Sequence, residues 1–221
     1  MHAVDAADAV DGVRRLVGRP RDPALDDRIL TTTRELLVER GYDGLSVQEV
    51  TRRSGAHAAT IRRRWPTKAG LVAASILRDD HPFWADDPAL SVPTGQLRQD
   101  LWRMITKIDR WLSDAAVRAA LPVLWGEVHH DTEVRERLEH RRAQWSGLVE
   151  AVLEASVRSG DAPAHVLDKT ELLTDVLAGT AFARQGLAQR GLGESATDAL
   201  TDLALWGLLG DQNEERPSTH P

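Results

Sequence analysis

The sequence predicts an all-α fold of about nine helices in two domains. Apolar residues recur at intervals of three and four over most of the chain, which is the spacing that the buried face of an α-helix requires. Two short segments joined at Ser54-Gly55 have the pattern of a helix-turn-helix. We therefore predict a three-helix domain over residues 23–68 and a larger helical domain over residues 69–210. A mobile tail (residues 1–22) is expected before them and a disordered tail (residues 211–221) after them.

The first helix is predicted from Pro23 to Arg40. Gly41 is the expected end of this helix, because helices commonly stop at a glycine in the left-handed conformation. Tyr42 is expected to pack over the core of the small domain. The apolar residues that form one stripe of the helix are Leu25, Ile29, Leu36 and Leu37.

The helix-turn-helix begins at Ser46, which together with Glu49 has the pattern of a capping box. Gly55 permits the backbone angles of a sharp turn between the two short helices. The second helix is predicted over residues 57–64. Pro66 is expected to end it, because the residue before a proline is disfavoured in a helix.

Charge is distributed unevenly along the chain. The net charge is −6, yet residues 14–68 contain thirteen Lys/Arg against seven Asp/Glu, and residues 69–221 contain fifteen against twenty-four. Between Arg52 and Lys68 there are six basic residues and no acidic residue. A basic block that coincides with a helix-turn-helix indicates contact with a polyanion, and double-stranded DNA is the expected partner.

The segment from Ile29 to Val72 resembles the DNA-binding domain of the TetR family of transcriptional regulators. The resemblance rests on the runs ERGYDGLSVQEV and SGAHAATIRRRWPTKAGLV. In a helix-turn-helix the second helix enters the major groove with its N-terminal residues toward the bases. The residues that we therefore expect at the DNA are Ser46, His57, Ala58, Thr60, Arg62, Arg63, Arg64 and Lys68.

Three of these positions depart from the family pattern. Family members usually have Ser or Thr at the position of His57, a polar or basic residue at Ala58 and Tyr at Arg62. The expected phosphate contact at Arg62 therefore follows from its position and charge alone.

The N-terminal tail contains four arginines, and two interpretations of them stay open. They form a basic arm that reaches DNA phosphates or a minor groove, or they belong to a tail with no fixed contact. These residues are Arg14, Arg15, Arg19 and Arg21.

The larger domain is predicted to contain six helices, over residues of about 67–80, 94–112, 115–129, 132–158, 168–189 and 195–210. Pro122 lies inside the third of them and is expected either to kink it or to start a new helix. Asp168 and Glu171 have the spacing of a capping box and predict the start of the fifth.

The resemblance implies a homodimer in which the last two long helices pair with their copies. These helices are rich in small residues, which let helices approach each other closely; an ordinary bundle within one chain is the alternative. The small residues are Ala178, Gly179, Ala181, Ala183, Ala199, Ala204 and Gly207.

The resemblance also implies a small-molecule cavity inside the larger domain. Six of the seven Trp lie outside the DNA-binding domain, and aromatic walls suit an apolar or aromatic ligand. The candidates for the cavity wall are Trp102, Trp125 and Trp145, with ordinary core packing as the alternative.

No arrangement of nucleophile, base and acid appears in the sequence, and no cofactor is predicted. His129 and His130 are adjacent, so on a helix they diverge by about 100° and do not share a metal ion. We therefore predict a protein that is not an enzyme and holds no metal. The lack of Cys and of a membrane-length apolar run favours the cytoplasm, with no membrane partner.

These observations predict a homodimeric repressor that is released from a palindromic operator by a small apolar or aromatic ligand. Two alternatives stay open. In one, the protein binds DNA without responding to a ligand. In the other, it is a helical interaction module whose basic segment binds another acidic protein.

Overall fold

The computed structural model describes residues 22–78, 92–187 and 190–210, and in these ranges it contains nine α-helices and no strand. They are α1 (Pro23–Gly44), α2 (Val47–Ser54), α3 (Ala58–Arg64), α4 (Lys68–Ile76), α5 (Leu97–Ser113), α6 (Ala115–Glu127), α7 (Thr132–Ser159), α8 (Thr170–Phe182) and α9 (Gly193–Leu209). The prediction of an all-α fold with about nine helices is confirmed. The predictions for the two tails, including the four N-terminal arginines, lie outside the described residues.

Helices α1, α2 and α3 pack around a small core. Asp22 caps α1, since its carboxylate oxygen accepts hydrogen bonds from the backbone N–H groups of Ala24 and Leu25. Gly41 has φ of 68° and interrupts the helical geometry as predicted, but a further turn follows it and ends at Gly44. The residues at the centre of this core are Ile29, Leu36, Leu37, Val50 and Ile61.

The helix-turn-helix forms where the sequence predicts it. The Ser46 hydroxyl accepts a hydrogen bond from the backbone N–H of Glu49 at 3.2 Å, and Gly55 has φ of 69° in the turn. His57 is the N-cap of α3, so this helix begins one residue later than predicted. Only half of the capping box is present, because the Glu49 carboxylate binds two arginines and not the N-terminus of the helix.

The larger domain, predicted over residues 69–210, contains α4–α9, and α6 packs on the DNA-binding domain. Helix α1 packs against α6, and α4 packs against both α6 and α7. Two polar links accompany these contacts: Arg34 forms an ion pair of 2.8 Å with Asp114, and the Thr67 hydroxyl donates to Asp131 at 2.5 Å. Pro122 lies inside α6, which continues past it to Glu127.

The predicted capping box at Asp168 and Glu171 is wrong. A 3-10 helix, Ala164–Lys169, occupies this position, and α8 begins at Thr170 without a side-chain cap. Tertiary contacts account for the difference, because Val166 is fully buried and the Lys169 ammonium donates to the carbonyls of Gly207 and Leu208 at the end of α9.

Other helix limits differ from the predictions by a few residues. Helix α4 ends at Ile76 and not near residue 80, and residues 79–91 lie outside the described ranges. Helix α8 passes into a π-helical turn, Ala183–Leu187, after Phe182. Helix α9 begins at Gly193, two residues before the predicted start.

The Glu49 carboxylate binds two arginines at the C-terminal end of α2, and one of them also binds α1. Its carboxylate accepts hydrogen bonds from Arg52 at 2.7 and 2.9 Å and from Arg53 at 2.9 Å. Arg53 in turn forms a two-bond ion pair with Glu39 of α1, with both distances 2.8 Å. These hydrogen bonds, first from Arg52 and then from Arg53, lower the pKa of Glu49 to about 2.

We expect the Glu49 carboxylate to titrate at about 2 and not near its usual 4.5. Because the folded-state pKa is the lower one, the stabilising contribution is complete above pH 4.5 and is lost as the pH falls toward 2. Carbon-detected NMR titration of the side-chain carboxyls measures this value, and Glu49→Gln identifies the resonance by its disappearance. A midpoint near 4.5 would show that Arg52 and Arg53 do not hold the carboxylate in solution.

Candidate DNA-binding surface and ligand cavity

Helix α3 buries one side and exposes the other. Ile61 is fully buried and Trp65, just after the helix, is almost so, which fixes the helix against the rest of the domain. His57 and Ala58 are exposed and Thr60 is half-buried, so the residues predicted to face bases lie at an accessible helix end. His57 caps α3 with its backbone and not with its ring, and the imidazole is therefore not used by the cap.

The three consecutive arginines of α3 have different surroundings. Arg62 and Arg63 are exposed, and neither has a carboxylate within 4.0 Å among the described residues. Arg64 forms an ion pair with Asp26 of α1, and only 10% of its side chain is exposed. The sequence run did not reveal this difference, because the partner lies in another helix.

Ser46 and Lys68 lie at the starts of α2 and α4. Ser46 is exposed, and its hydroxyl serves as the helix cap. The Lys68 ammonium lies 4.5 Å from the centre of the Tyr42 ring and donates to the Asp43 carbonyl at 3.3 Å. Burial, and after it the nearby carboxylates, raise the pKa of Tyr42. Lys68 therefore contacts the protein itself in this structure.

A cavity of about 610 Å³ lies between α5, α6, α7 and α8. Two aromatic pairs line it: Trp111 and Trp145 meet edge to face at 5.7 Å between ring centres, and Trp125 contacts Phe182 at 5.3 Å. Trp125, which lines this space, is half-exposed. We call this space the aromatic cavity.

Two of the three Trp predicted for a cavity wall, Trp125 and Trp145, line the aromatic cavity, and Trp102 does not. Sequence analysis missed Trp111, which falls on the apolar stripe of α5, and Phe182, which lies at the end of α8. Helical spacing indicates which residues face inward, but not which of these meet an empty space.

Charged side chains at the aromatic cavity are bound to other groups of the protein. Arg142 donates to Asp175 at 3.0 Å, and Arg135 lies 3.9 Å from Glu139. Arg141 is buried, donates to the carbonyl of residue 78 at 3.1 Å and lies over the Trp111 ring at 5.7 Å. The space that remains is bounded mainly by apolar atoms.

The aromatic cavity lies close to the contacts with the DNA-binding domain. Trp125, Val128 and His129 line it, and Asp131 follows them by two residues. Asp131 caps α7 through the N–H of Val134 and accepts from Thr67, which caps α4. Cavity wall and DNA-binding domain are thus joined by one short turn.

Both α8 and α9 have exposed apolar side chains in the single chain. Trp206 is 79% exposed and Leu203 66%, although both are large and apolar. Of the small residues predicted to face a partner, Gly179, Ala183, Ala199 and Gly207 are exposed, whereas Ala181 and Ala204 are buried within the chain. The other exposed apolar residues on these helices are Leu172, Val176 and Leu209.

None of the helices among the described residues has the length and apolar character needed to cross a membrane.

Comparison with known proteins agrees with this architecture. Residues 29–75 match the model described as bacterial regulatory proteins, tetR family, and residues 92–204 match the tetracyclin repressor-like C-terminal domain. An uncharacterized HTH-type transcriptional regulator of Mycobacterium tuberculosis is 30% identical over 87% of this chain and 94% of its own length. The DNA-binding transcriptional repressor TetR of Mycobacteroides abscessus is 30% identical over 72% of this chain and 78% of its own.

A solved structure has the same fold. The transcriptional regulator FadR from Bacillus subtilis, in complex with stearoyl-CoA, superposes with a TM-score of 0.57 at 14% identity, covering 83% of this chain and 97% of its own. The family and the curated relatives are transcriptional regulators and not enzymes. The chain therefore belongs to the TetR family of DNA-binding transcriptional regulators.

Proposed function

We propose that this regulator is a homodimeric repressor that leaves a palindromic operator when a small apolar or aromatic ligand binds. The exposed end of α3 carries the DNA-binding role, together with Arg62 and Arg63, which have no carboxylate partner in the part of the chain that the structure describes. The relative from Mycobacteroides abscessus is named a repressor, which supports repression as the outcome of DNA binding.

We assign base contacts to the N-terminal end of α3. The His57 ring can donate to or accept from a base edge, and Ala58 and the Thr60 methyl can contact thymine methyl groups. Arg62 and Arg63 take phosphate contacts, and the N-terminus of α2 at Ser46 favours a further phosphate. Arg64 and Lys68 are left out of this set, because Asp26 and the Tyr42 ring already bind them.

Selection of binding sites from a random duplex library, with the purified protein at physiological salt, tests the DNA-binding role. We expect a palindrome, because a twofold dimer presents two copies of α3 to two half-sites. Recovery of a single unrepeated half-site would contradict the dimer. Recovery of no sequence above background would contradict specific DNA recognition.

Substitution of Arg62 or Arg63 by Ala is expected to weaken binding to all duplexes. Each change removes one phosphate contact per protomer, so the slope of log K against log salt concentration falls by about one per contact. Fluorescence anisotropy with the selected duplex, measured at several salt concentrations, gives this slope. Arg110→Ala is the matched control, since Arg110 is exposed on α5 in the other domain. An unchanged slope for Arg62→Ala would remove Arg62 from the interface.

We propose that the dimer interface is formed by the exposed apolar side chains of α8 and α9. A Trp and three Leu are exposed on these two helices, and exposed apolar surface of this kind marks an interface. The exposed Gly179 and Gly207 add sites where helices can approach each other closely. In a twofold dimer this face meets its own copy, giving a bundle of four helices.

Trp206→Glu is expected to dissociate the dimer. The change puts a charge into the centre of the proposed interface twice, once from each protomer, so the dimer dissociation constant rises by about a hundredfold. Sedimentation velocity over a range of protein concentrations measures it. Val38→Glu, which also replaces an exposed apolar residue but on α1, serves as the control and should remain dimeric. A Trp206→Glu protein that sediments as the wild type would place the interface elsewhere.

The ligand response is proposed to run from the aromatic cavity through α6 and the turn after it. Helix α6 contributes Leu121 and Trp125 to the cavity and packs against α1 on another side. Asp131 then binds Thr67, four residues before Leu71 in the buried α4. A ligand that fits the cavity better in one position of α6 than in the other shifts the DNA-binding domains accordingly. The FadR structure with stearoyl-CoA shows that a protein of this fold binds an acyl ligand.

A further inference from the structure

We propose that the effector is an amphipathic anion, with its apolar body in the aromatic cavity and its acidic group beside Arg118. This inference rests on the ligand response proposed above and names the chemical class of the ligand.

A second, smaller space adjoins the aromatic cavity. It measures about 340 Å³ and lies at the ends of α6 and α8. Leu112, Leu121 and Phe182 line both spaces, so these three side chains form the wall between them. We call it the outer cavity. Because the two spaces share these three apolar side chains, we infer that one elongated molecule that displaces them can occupy both.

The two spaces differ in the groups they offer. In the aromatic cavity, Arg142 and Arg135 have carboxylate partners, and two aromatic pairs form part of the wall. Inserting a charged group there would require separating these ion pairs, whereas an aromatic ring or alkyl chain gains contact with the rings. The apolar part of the ligand therefore belongs in the aromatic cavity.

The outer cavity offers a positive charge. Arg118 lines it, and no carboxylate among the described residues lies within 4.0 Å of its guanidinium. The two acidic side chains beside this lining have other partners. Asp114 accepts from the N–H of Val117 at 3.1 Å and pairs with Arg34 at 2.8 Å. Asp109 accepts from the Gln185 amide at 3.3 Å and from the N–H of Leu192 at 2.8 Å. A carboxylate, sulfonate or phosphate matches the fork of donors that Arg118 presents.

The charge balance of the two cavities points the same way. Among the described residues, their lining contains four arginines and two carboxylates, whereas residues 69–221 as a whole have nine more acidic than basic residues. A net positive lining within an acidic domain favours an anion over a cation. The lining residues with charge are Arg118, Arg135, Arg141, Arg142, Glu139 and Asp175.

A matched set of probes tests the proposal. The compounds 1-pyrenebutyrate, 1-pyrenebutanol and 1-pyrenebutylamine have one aromatic body and differ only in the charge of the end group. Energy transfer from Trp to pyrene in the full-length dimer reports binding of each. We expect pyrenebutyrate to bind about tenfold more tightly than pyrenebutanol, and pyrenebutylamine to bind most weakly.

Arg118→Gln is expected to bring pyrenebutyrate and pyrenebutanol within about twofold of each other, because the charge that distinguishes them is gone. Arg118 is exposed, so the substitution leaves the core unchanged, and operator binding by the variant confirms its fold. Arg110→Gln, the same change outside both cavities, is expected to keep the preference for the acid.

The proposal would be overturned by equal affinity for the three probes, by a preference for the amine, or by a preference for the acid that survives Arg118→Gln. If none of the three probes binds, the proposal is overturned too. In that case a palindrome recovered from the duplex library would still support the DNA-binding function. Conversely, tight binding of pyrenebutyrate without any selected duplex would uphold the ligand class and refute the proposed repressor.

Discussion

The packing of α1 against α6 is the contact on which the other features of the structure depend. Helix α1 carries the DNA-binding domain on one side, and α6 carries part of the cavity wall on the other. Because the two helices touch directly, neither domain can change position without the other responding. The ion pair between Arg34 and Asp114 holds one end of α6 to α1, and the hydrogen bond between Thr67 and Asp131 holds the turn beyond its other end to α4.

Local signals predicted most of the fold, and they failed where a distant contact decides the structure. Ser46, Gly55 and Pro66 act on their own neighbours, so the helix-turn-helix follows from the sequence. The start of α8 does not, because Lys169 binds the carbonyls at the end of α9 and a 3-10 helix replaces the expected capping box. A capping motif expresses only the local preference of a segment to start a helix. Here the burial of Val166 and the contact with the end of α9 override that preference.

The candidate sites show the same difference between features set by neighbouring residues and features set by distant contacts. Exposure of Arg62 and Arg63 follows from their spacing relative to the buried Ile61, so this part of the DNA-binding surface can be predicted from the sequence. The partner of Arg64 is Asp26, a residue of another helix, and only the folded structure brings the two together. The cavity is harder still to predict from the sequence, because an empty space depends on how several helices diverge and not on any one residue type.

Pro122 gives α6 an unusual mechanical property. It has no backbone N–H, so the carbonyl of Arg118 lacks the donor that every other turn of the helix supplies. Bending α6 at this point therefore disturbs one helical hydrogen bond fewer than bending elsewhere, and we expect the helix to act as two short rods that meet at a joint. The first rod is tied to α1 at Asp114 and the second carries Trp125. Bending at the joint lets the half that faces the cavity tilt while the half at the ion pair stays in place.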